Sequence, residues 1–274
     1  MRSTYSNSRR QFVLKALAGS LALSWLPAFA AKKKKKAPPA PVCRLTAEQE
    51  EGPFYIKGEP LRSNLVEDRE GIPLVLRVQL FDMQHCTPLK NASLEIWSCD
   101  ANGEYSGYDS VHMGPPPEGM GPPPGIPPHD HNGHDGPPPG PPPHHAPNNE
   151  KTFLRGRQVS DEQGHVEFTT IYPGCYEGRV NHVHLKVRLT EGDRVVYTGQ
   201  LFFPELVTDA VLAMPPYSAH QIQRTRAADD MVFTGQHGEH SVMELEAVQP
   251  GVIGKGFIGT AAVGIDTSKT SKAS

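Results

Sequence analysis

The run CYEGRVNHVHLKV, Cys175–Val187, places two histidines two residues apart, His182 and His184, with Arg179 three residues before the first and Tyr176 six before it. Imidazole nitrogens suit zinc, copper, iron or nickel, so the other donors decide which metal such a pair would hold. Glu177 would complete a two-histidine, one-carboxylate ferrous site. Tyr176 together with Tyr105, which follows the Asn102-Gly103 turn, would instead supply two phenolates. A phenol titrates near ~10, and only a strongly acidic metal such as Fe(III) keeps it deprotonated at neutral pH. Two Tyr and two His therefore describe a ferric centre that needs no sulfur. Taken singly, each of these side chains also has a structural use: a His satisfied on a strand, a Tyr half-buried in packing.

Side chains alternate across a strand with a period of two. If the run is a strand, Val180, His182, His184 and Lys186 share one face. Asn181, Val183, Leu185, Val187 and Leu189 share the other, which is apolar enough to face a core. Alternation recurs in PLVLRVQLFD (Pro73–Asp82), ASLEIWS (Ala92–Ser98), GHVEFTTI (Gly164–Ile171) and RVVYTGQLFF (Arg194–Phe203), and again after Ser241. PELVTDAVLAM (Pro204–Met214) reads as a short helix. Many short strands between turn residues, with almost no long helical period, predict an all-β fold. The expected architecture is a β-sandwich of mostly antiparallel strands with long loops and a few short helices.

The first thirty residues read as an export signal: SRRQFVLK, a short apolar run, and the small-residue site Ala28-Phe29-Ala30. Arg9-Arg10 with Phe12 and Lys15 gives it a twin-arginine character. The expected location is therefore outside the cytoplasm, periplasmic or extracellular, with no segment that spans a membrane stably. Residues 31–41 read as a Lys/Pro/Ala-rich linker, 42–265 as the folded domain and 266–274 as a flexible tail. Residues 1–30 carry four basic and no acidic side chains, so the remainder holds 23 basic against 30 acidic, a net charge of −7. That balance argues against nucleic acid as a partner. Residues 112–149 hold fifteen prolines, seven glycines and six histidines, a composition that cannot bury enough apolar area to fold alone. They read as a disordered insertion. A rival reading takes His129, His131, His134, His144 and His145 as a metal scavenger, and the whole as an exported, non-catalytic metal-binding β-sandwich. Four cysteines in an exported chain point to disulfides. Cys86 and Cys99 flank a turn-like stretch and are expected to staple neighbouring strands, contributing about 3 kcal/mol. Cys43 and Cys175 either pair with each other or stay free, and no Cys-x-x-Cys spacing supports zinc.

The segments LTAEQEEGPFY (Leu45–Tyr55), IWSCDANGEYSGY (Ile96–Tyr108), TIYPGCYEGRVNHVHLKV (Thr170–Val187), QLFFPE (Gln200–Glu205) and RAADDMVF (Arg226–Phe233) together resemble the intradiol ring-cleavage dioxygenases. Within that family the chain is more similar to the protocatechuate branch and to exported single-domain members, since it has no room for the helical N-terminal domain of the catechol 1,2 branch. The resemblance implies a non-haem Fe(III) held by Tyr105, Tyr176, His182 and His184, and a substrate that is a catechol cleaved with O2 to a muconate-type diacid. It implies that Tyr176 is the ligand displaced by substrate, and that Arg179 stabilises negative charge on the ring. Gln200 matches a glutamine that supports the site, and Tyr55 and Arg62 match a pocket-lining region. Paired chains in the protocatechuate branch make a homo-oligomer an open option. The resemblance does not name the ring substituents.

Overall fold

The computed structural model describes residues 44–109 and 146–273. The signal peptide and linker read over residues 1–41, Cys43, and all but the last four residues of the 112–149 insertion, with its metal-scavenging histidines, lie outside the described residues. Nine strands and two short helices occur among the described residues: β1 Pro73–Asp82, β2 Thr87–Pro88, β3 Ala92–Trp97, β4 Arg155–Val159, β5 His165–Ile171, β6 His182–Leu189, β7 Arg194–Phe202, α1 Glu205–Leu212, α2 Met231–Gly235, β8 Glu244–Ala247 and β9 Phe257–Ile265. No helix among them is long and apolar enough to cross a membrane.

The strands form two sheets. One runs β2-β1-β9-β8, with β5 also paired to β1; the other runs β4-β3-β6-β7. All pairings are antiparallel except β1 with β9, which run parallel in register from Leu74↔Phe257 to Asp82↔Ile265. The core lies between the sheets. Leu74, Leu76, Val78 and Leu80 from β1 join Leu94 and Ile96 from β3 and Val183, Leu185 and Val187 from β6 in one buried cluster. Each is a β-branched or leucine side chain at a period of two, which is how a half-buried pleated strand fills a sandwich interior. The alternation read from the sequence thus gives the expected β-sandwich.

The outer face of the second sheet is covered rather than solvated. Residues 46–62 cross it as an extended strap. The Thr46 N–H anchors its start to the Gly264 carbonyl of β9 in the first sheet at 2.9 Å; the Gln49 N–H donates to Thr198 of β7 at 3.2 Å and the Arg62 N–H to Arg157 of β4 at 3.1 Å. This cover buries His182, His184 and Lys186 to about the same degree as the core-facing side of β6. Residues 266–273, read as a tail, bond along the same region. Ser271 N–H donates to Val195, the Arg194 guanidinium holds the Thr267 and Lys269 carbonyls, and the Glu51 N–H donates to Ala273.

One expectation is overturned. Cys86 is disulfide-bonded, but Cys99 and Cys175 are both free, buried thiols, so the Cys86–Cys99 staple does not exist. The reason is positional. Cys86 sits in the exposed turn between β1 and β2 at φ +55°. Cys99, just past β3, points into an aromatic cluster with Phe54, Trp97, Tyr105 and Tyr108.

Candidate metal centre

His182 and His184 sit on the strap-covered face of β6, as alternation requires. The His182 Nδ1–H donates to the Val180 carbonyl at 2.6 Å. A carbonyl only accepts, so this bond fixes the tautomer and leaves the Nε2 lone pair free. The two Nε2 atoms stand 3.0 Å apart. The His184 ring lies flat on Trp97 of β3, its register partner, with centroids 4.9 Å apart and planes 2° from parallel. On the strap, Gly52 presses against His184: a Cβ there would lie 3.0 Å from its Cε1, and the backbone is at φ +74°.

The two tyrosines arrive on loops that interlock. The Gly174 N–H donates to the Asp100 carbonyl at 2.9 Å, and a Cβ on Gly174 would lie 2.5 Å from the Ala101 oxygen and 2.6 Å from the Asp100 oxygen. Reciprocally, a Cβ on Gly103 (φ +82°) would lie 2.5 Å from the Cys175 oxygen. Only glycine permits backbones to approach so closely. Buried Arg155 of β4 fixes the Tyr105 loop further: its Nε donates to Ser106 Oγ at 2.8 Å and its Nη2 to the Ser106 carbonyl at 2.8 Å. The two phenol rings meet edge to face at 5.8 Å. Tyr176 Oη is 3.2 Å, and Tyr105 Oη 3.5 Å, from His182 Nε2.

Two nitrogens and two oxygens from three separate segments therefore crowd around one point. Donors bound at roughly 2 Å to a common ion stand about 3 to 3.4 Å apart, which matches these separations. Electrostatics fit as well. Burial, helped by Arg179, pushes His182 down to about 3, and burial pushes His184 well below the usual imidazole range, so both rings are neutral and offer lone pairs. Burial raises the Tyr105 hydroxyl well above its ordinary value, and raises Tyr176 to about 12 against the opposing pull of Arg179. Without a cation these phenols stay protonated; a hard, highly charged ion at the point of convergence reverses that preference. No group of three or more His, Cys, Asp or Glu able to hold a metal occurs among the described residues. Glu177 is exposed, so the two-histidine, one-carboxylate alternative is not formed. The donor set is histidine plus phenol.

Arg179 and Gln200 form the flank of the site. Gln200 lies opposite His184 in the β6–β7 register and accepts from Arg179 Nη2 at 2.5 Å. Its own Nε2 donates to the Glu50 carbonyl at 2.9 Å, and its backbone N–H to Gln49 Oε1 at 2.9 Å. Tyr55 and Arg62 do not reach the donors. The Tyr55 hydroxyl is shared between Glu95 and Arg188, and its ring carries the Lys186 ammonium 3.8 Å from its centroid. That ammonium also pairs with Glu51. Arg62 holds the Thr152 and Arg155 carbonyls.

Sequence reasoning missed Arg155, Gln49 and Asp230, whose carboxylate receives Arg179 Nε at 3.0 Å. For Asp230 a signal existed: an Asp immediately before Met231-Val232-Phe233 is a helix N-cap pattern, and the Asp230 side chain does accept from Val232 and Phe233.

No protein-family model and no curated protein matches the chain in sequence. Solved structures do match. An intradiol ring-cleavage dioxygenase from Tetranychus urticae superposes with a TM-score of 0.68 at 29% identity, over 84% of this chain and 98% of its own. The dioxygenase domain of a dioxygenase–carbohydrate-binding protein fusion from Streptomyces sp. SirexAA-E superposes with a TM-score of 0.51 at 24% identity, over 81% of this chain and 99% of its own. A 3-chlorocatechol 1,2-dioxygenase from Rhodococcus opacus gives 0.51 at 19%, over 80% and 72%. At their identities the last two speak to the fold.

Proposed function

We infer that this chain is an intradiol ring-cleavage dioxygenase, like the Tetranychus urticae enzyme it is similar to: an iron-dependent oxidoreductase that opens the ring of a catechol between its two hydroxylated carbons, using O2 and yielding a muconate-type diacid. The observation that carries the iron reading is the convergence of Tyr105 Oη, Tyr176 Oη and His184 Nε2 within 3.5 Å of His182 Nε2. Tyr105, Tyr176, His182 and His184 are the residues that would hold a non-haem Fe(III). That ion, when bound, supplies the Lewis acidity that makes a chelated catecholate reactive toward O2.

The chain's own residues do the rest. The Val180 carbonyl keeps the His182 lone pair outward. Tyr176 is half-buried whereas Tyr105 is buried, so Tyr176 is the phenol better placed to yield its position and accept a proton from an incoming catechol. Arg179 stands beside the phenols with a permanent positive charge, suited to negative charge that builds on the ring; one well-placed donor of this kind is worth about 3 kcal/mol. Gln200 holds Arg179. Phe54, stacked on Tyr105 with centroids 4.4 Å apart, and Trp97 keep water from the ligand side. The export-type N-terminus supports action on catechols outside the cytoplasm.

The test is the visible spectrum of the purified protein, before and after catechol is added without oxygen, followed by admission of O2. A phenolate-to-iron charge-transfer band that shifts with catechol, then ring-opened product with oxygen consumed, is the expected result. A protein that binds iron at these residues yet shows no such band, or no oxygen uptake with any catechol, would sink the reading.

A further inference from the structure

Asp230 is buried with no exposed surface, carries a charge and has no place among the four donors. Its Oδ2 accepts from Arg179 Nε at 3.0 Å and from the Val180 N–H at 2.9 Å. Its Oδ1 accepts from the backbone N–H groups of Val232 at 2.8 Å and Phe233 at 3.1 Å. Capping a five-residue helix takes a single oxygen. The second oxygen is turned away from the helix, onto a guanidinium and onto the residue whose carbonyl orients His182. A carboxylate this deeply buried needs a paired charge, and Arg179 is the charge it meets.

Arg179 is thereby gripped from two sides. Asp230 occupies Nε and Gln200 occupies Nη2. Nη1 makes no hydrogen bond to a described residue. A guanidinium presents its N–H groups in one rigid plane, so fixing two of its nitrogens fixes where the third points.

We propose that Asp230 is a positioning residue for the ring-cleavage reaction. Through Arg179 Nε it locks the guanidinium plane against Gln200, so that the Nη1 amino group is the one offered to the substrate. This rests on the dioxygenase reading above. A guanidinium held in place meets developing charge without reorganising; one released from Asp230 must be ordered at each turnover.

Asp230→Asn and Asp230→Ser both keep an oxygen that can cap α2 and both remove the carboxylate facing Arg179. With either variant kcat for catechol should fall about 10- to 100-fold, while iron content and the visible band of the substrate-free protein stay as in the parent. In an Arg179→Gln background, adding Asp230→Asn should change kcat less than about 3-fold, because the residue it acts through is already gone. A second readout needs neither iron nor turnover. In the iron-free protein, 15N NMR should show the Arg179 Nε–H protected from hydrogen exchange in the parent and freely exchanging in Asp230→Asn. Losses that multiply with Arg179→Gln, or iron content falling in step with kcat, would make Asp230 a scaffold residue and overturn the proposal. So would an unprotected Arg179 Nε–H in the parent. Should Asn prevent folding, Ser answers the same comparison. If the parent cleaves no catechol, the dioxygenase reading falls on its own, and the exchange experiment still decides whether the clamp exists.

Discussion

Replacing Gly174 by alanine puts a methyl group 2.5 Å from the Ala101 carbonyl oxygen, 2.6 Å from the Asp100 oxygen and 2.7 Å from the Ala101 carbonyl carbon. All three are backbone atoms, so no side chain can swing aside. Ordinary contact begins at 3.4 Å, and the loops must part by roughly 0.9 Å to restore it. Overpacking of this kind costs about 1–3 kcal/mol, which in a domain of this size lowers Tm by roughly 3–10 °C. The larger consequence is chemical. Gly174 lies on the Tyr176 loop and Asp100–Ala101 on the Tyr105 loop, so the opening separates two phenols whose oxygens must meet one ion. Loss of supporting geometry around a metal costs about 10- to 100-fold in affinity. The assay is iron titration of the iron-free protein followed by its charge-transfer band, beside thermal unfolding of the same samples. Gly178→Ala is the control: φ is +81° there and nothing lies within 4 Å of its Cβ, so it carries backbone strain without loop separation. Gly174→Ala should lose both iron affinity and Tm, and Gly178→Ala only Tm. Parental iron affinity in Gly174→Ala would refute the argument that loop interlock sets the donor geometry.

Tyr217 Oη donates to the Tyr172 carbonyl at 2.7 Å and accepts the Ile72 N–H at 2.9 Å, all buried. Tyr217→Phe strands both backbone groups and should cost about 2–3 kcal/mol in urea unfolding, with no change in iron binding. Burial raises the Glu59 carboxyl from 4.5 to about 7 despite Arg155 beside it. The folded state therefore holds that proton more tightly than the unfolded chain, so stability should fall by up to about 3 kcal/mol as pH rises from 4.5 to 7 and then level off. In Glu59→Gln that part of the slope should be absent, whatever the offset in absolute stability. Burial pushes the Cys99 and Cys175 thiols upward; both should resist a thiol reagent in the native protein and react, as two thiols per chain, once it is denatured without reductant. A count of zero would show both thiols paired and restore the Cys86–Cys99 disulfide.

The two faces of β6 were legible because a strand buried on both sides still alternates in chemistry: Val183, Leu185 and Val187 against His182, His184 and Lys186. The Gly103 and Gly174 motifs were legible as turns, but not as the place where two distant loops touch. β4 was not legible. Its sequence, RGRQV, carries two arginines that look solvated, yet Arg155 is buried on Glu59 and Ser106 and Arg157 bonds the Glu59 carbonyl; these partners lie about 50 to 100 residues away in the chain. The parallel β1–β9 pairing is equally non-local. The cysteine pairing failed because spacing reports nearness along the chain, whereas an exposed turn and a buried strand end present their sulfurs to different surroundings.

Trp97 lies parallel to His184 at 4.9 Å, with its indole N–H buried and without a hydrogen-bond partner among the described residues. The chain has two tryptophans, and the other, Trp25, falls within the first thirty residues. The folded domain therefore carries a single tryptophan, stacked on a ring that would ligate the metal. A paramagnetic, strongly coloured ion at that distance quenches indole emission, so loading, loss and exchange of the ion can be followed on the unlabelled protein, at concentrations far below those an absorbance band requires.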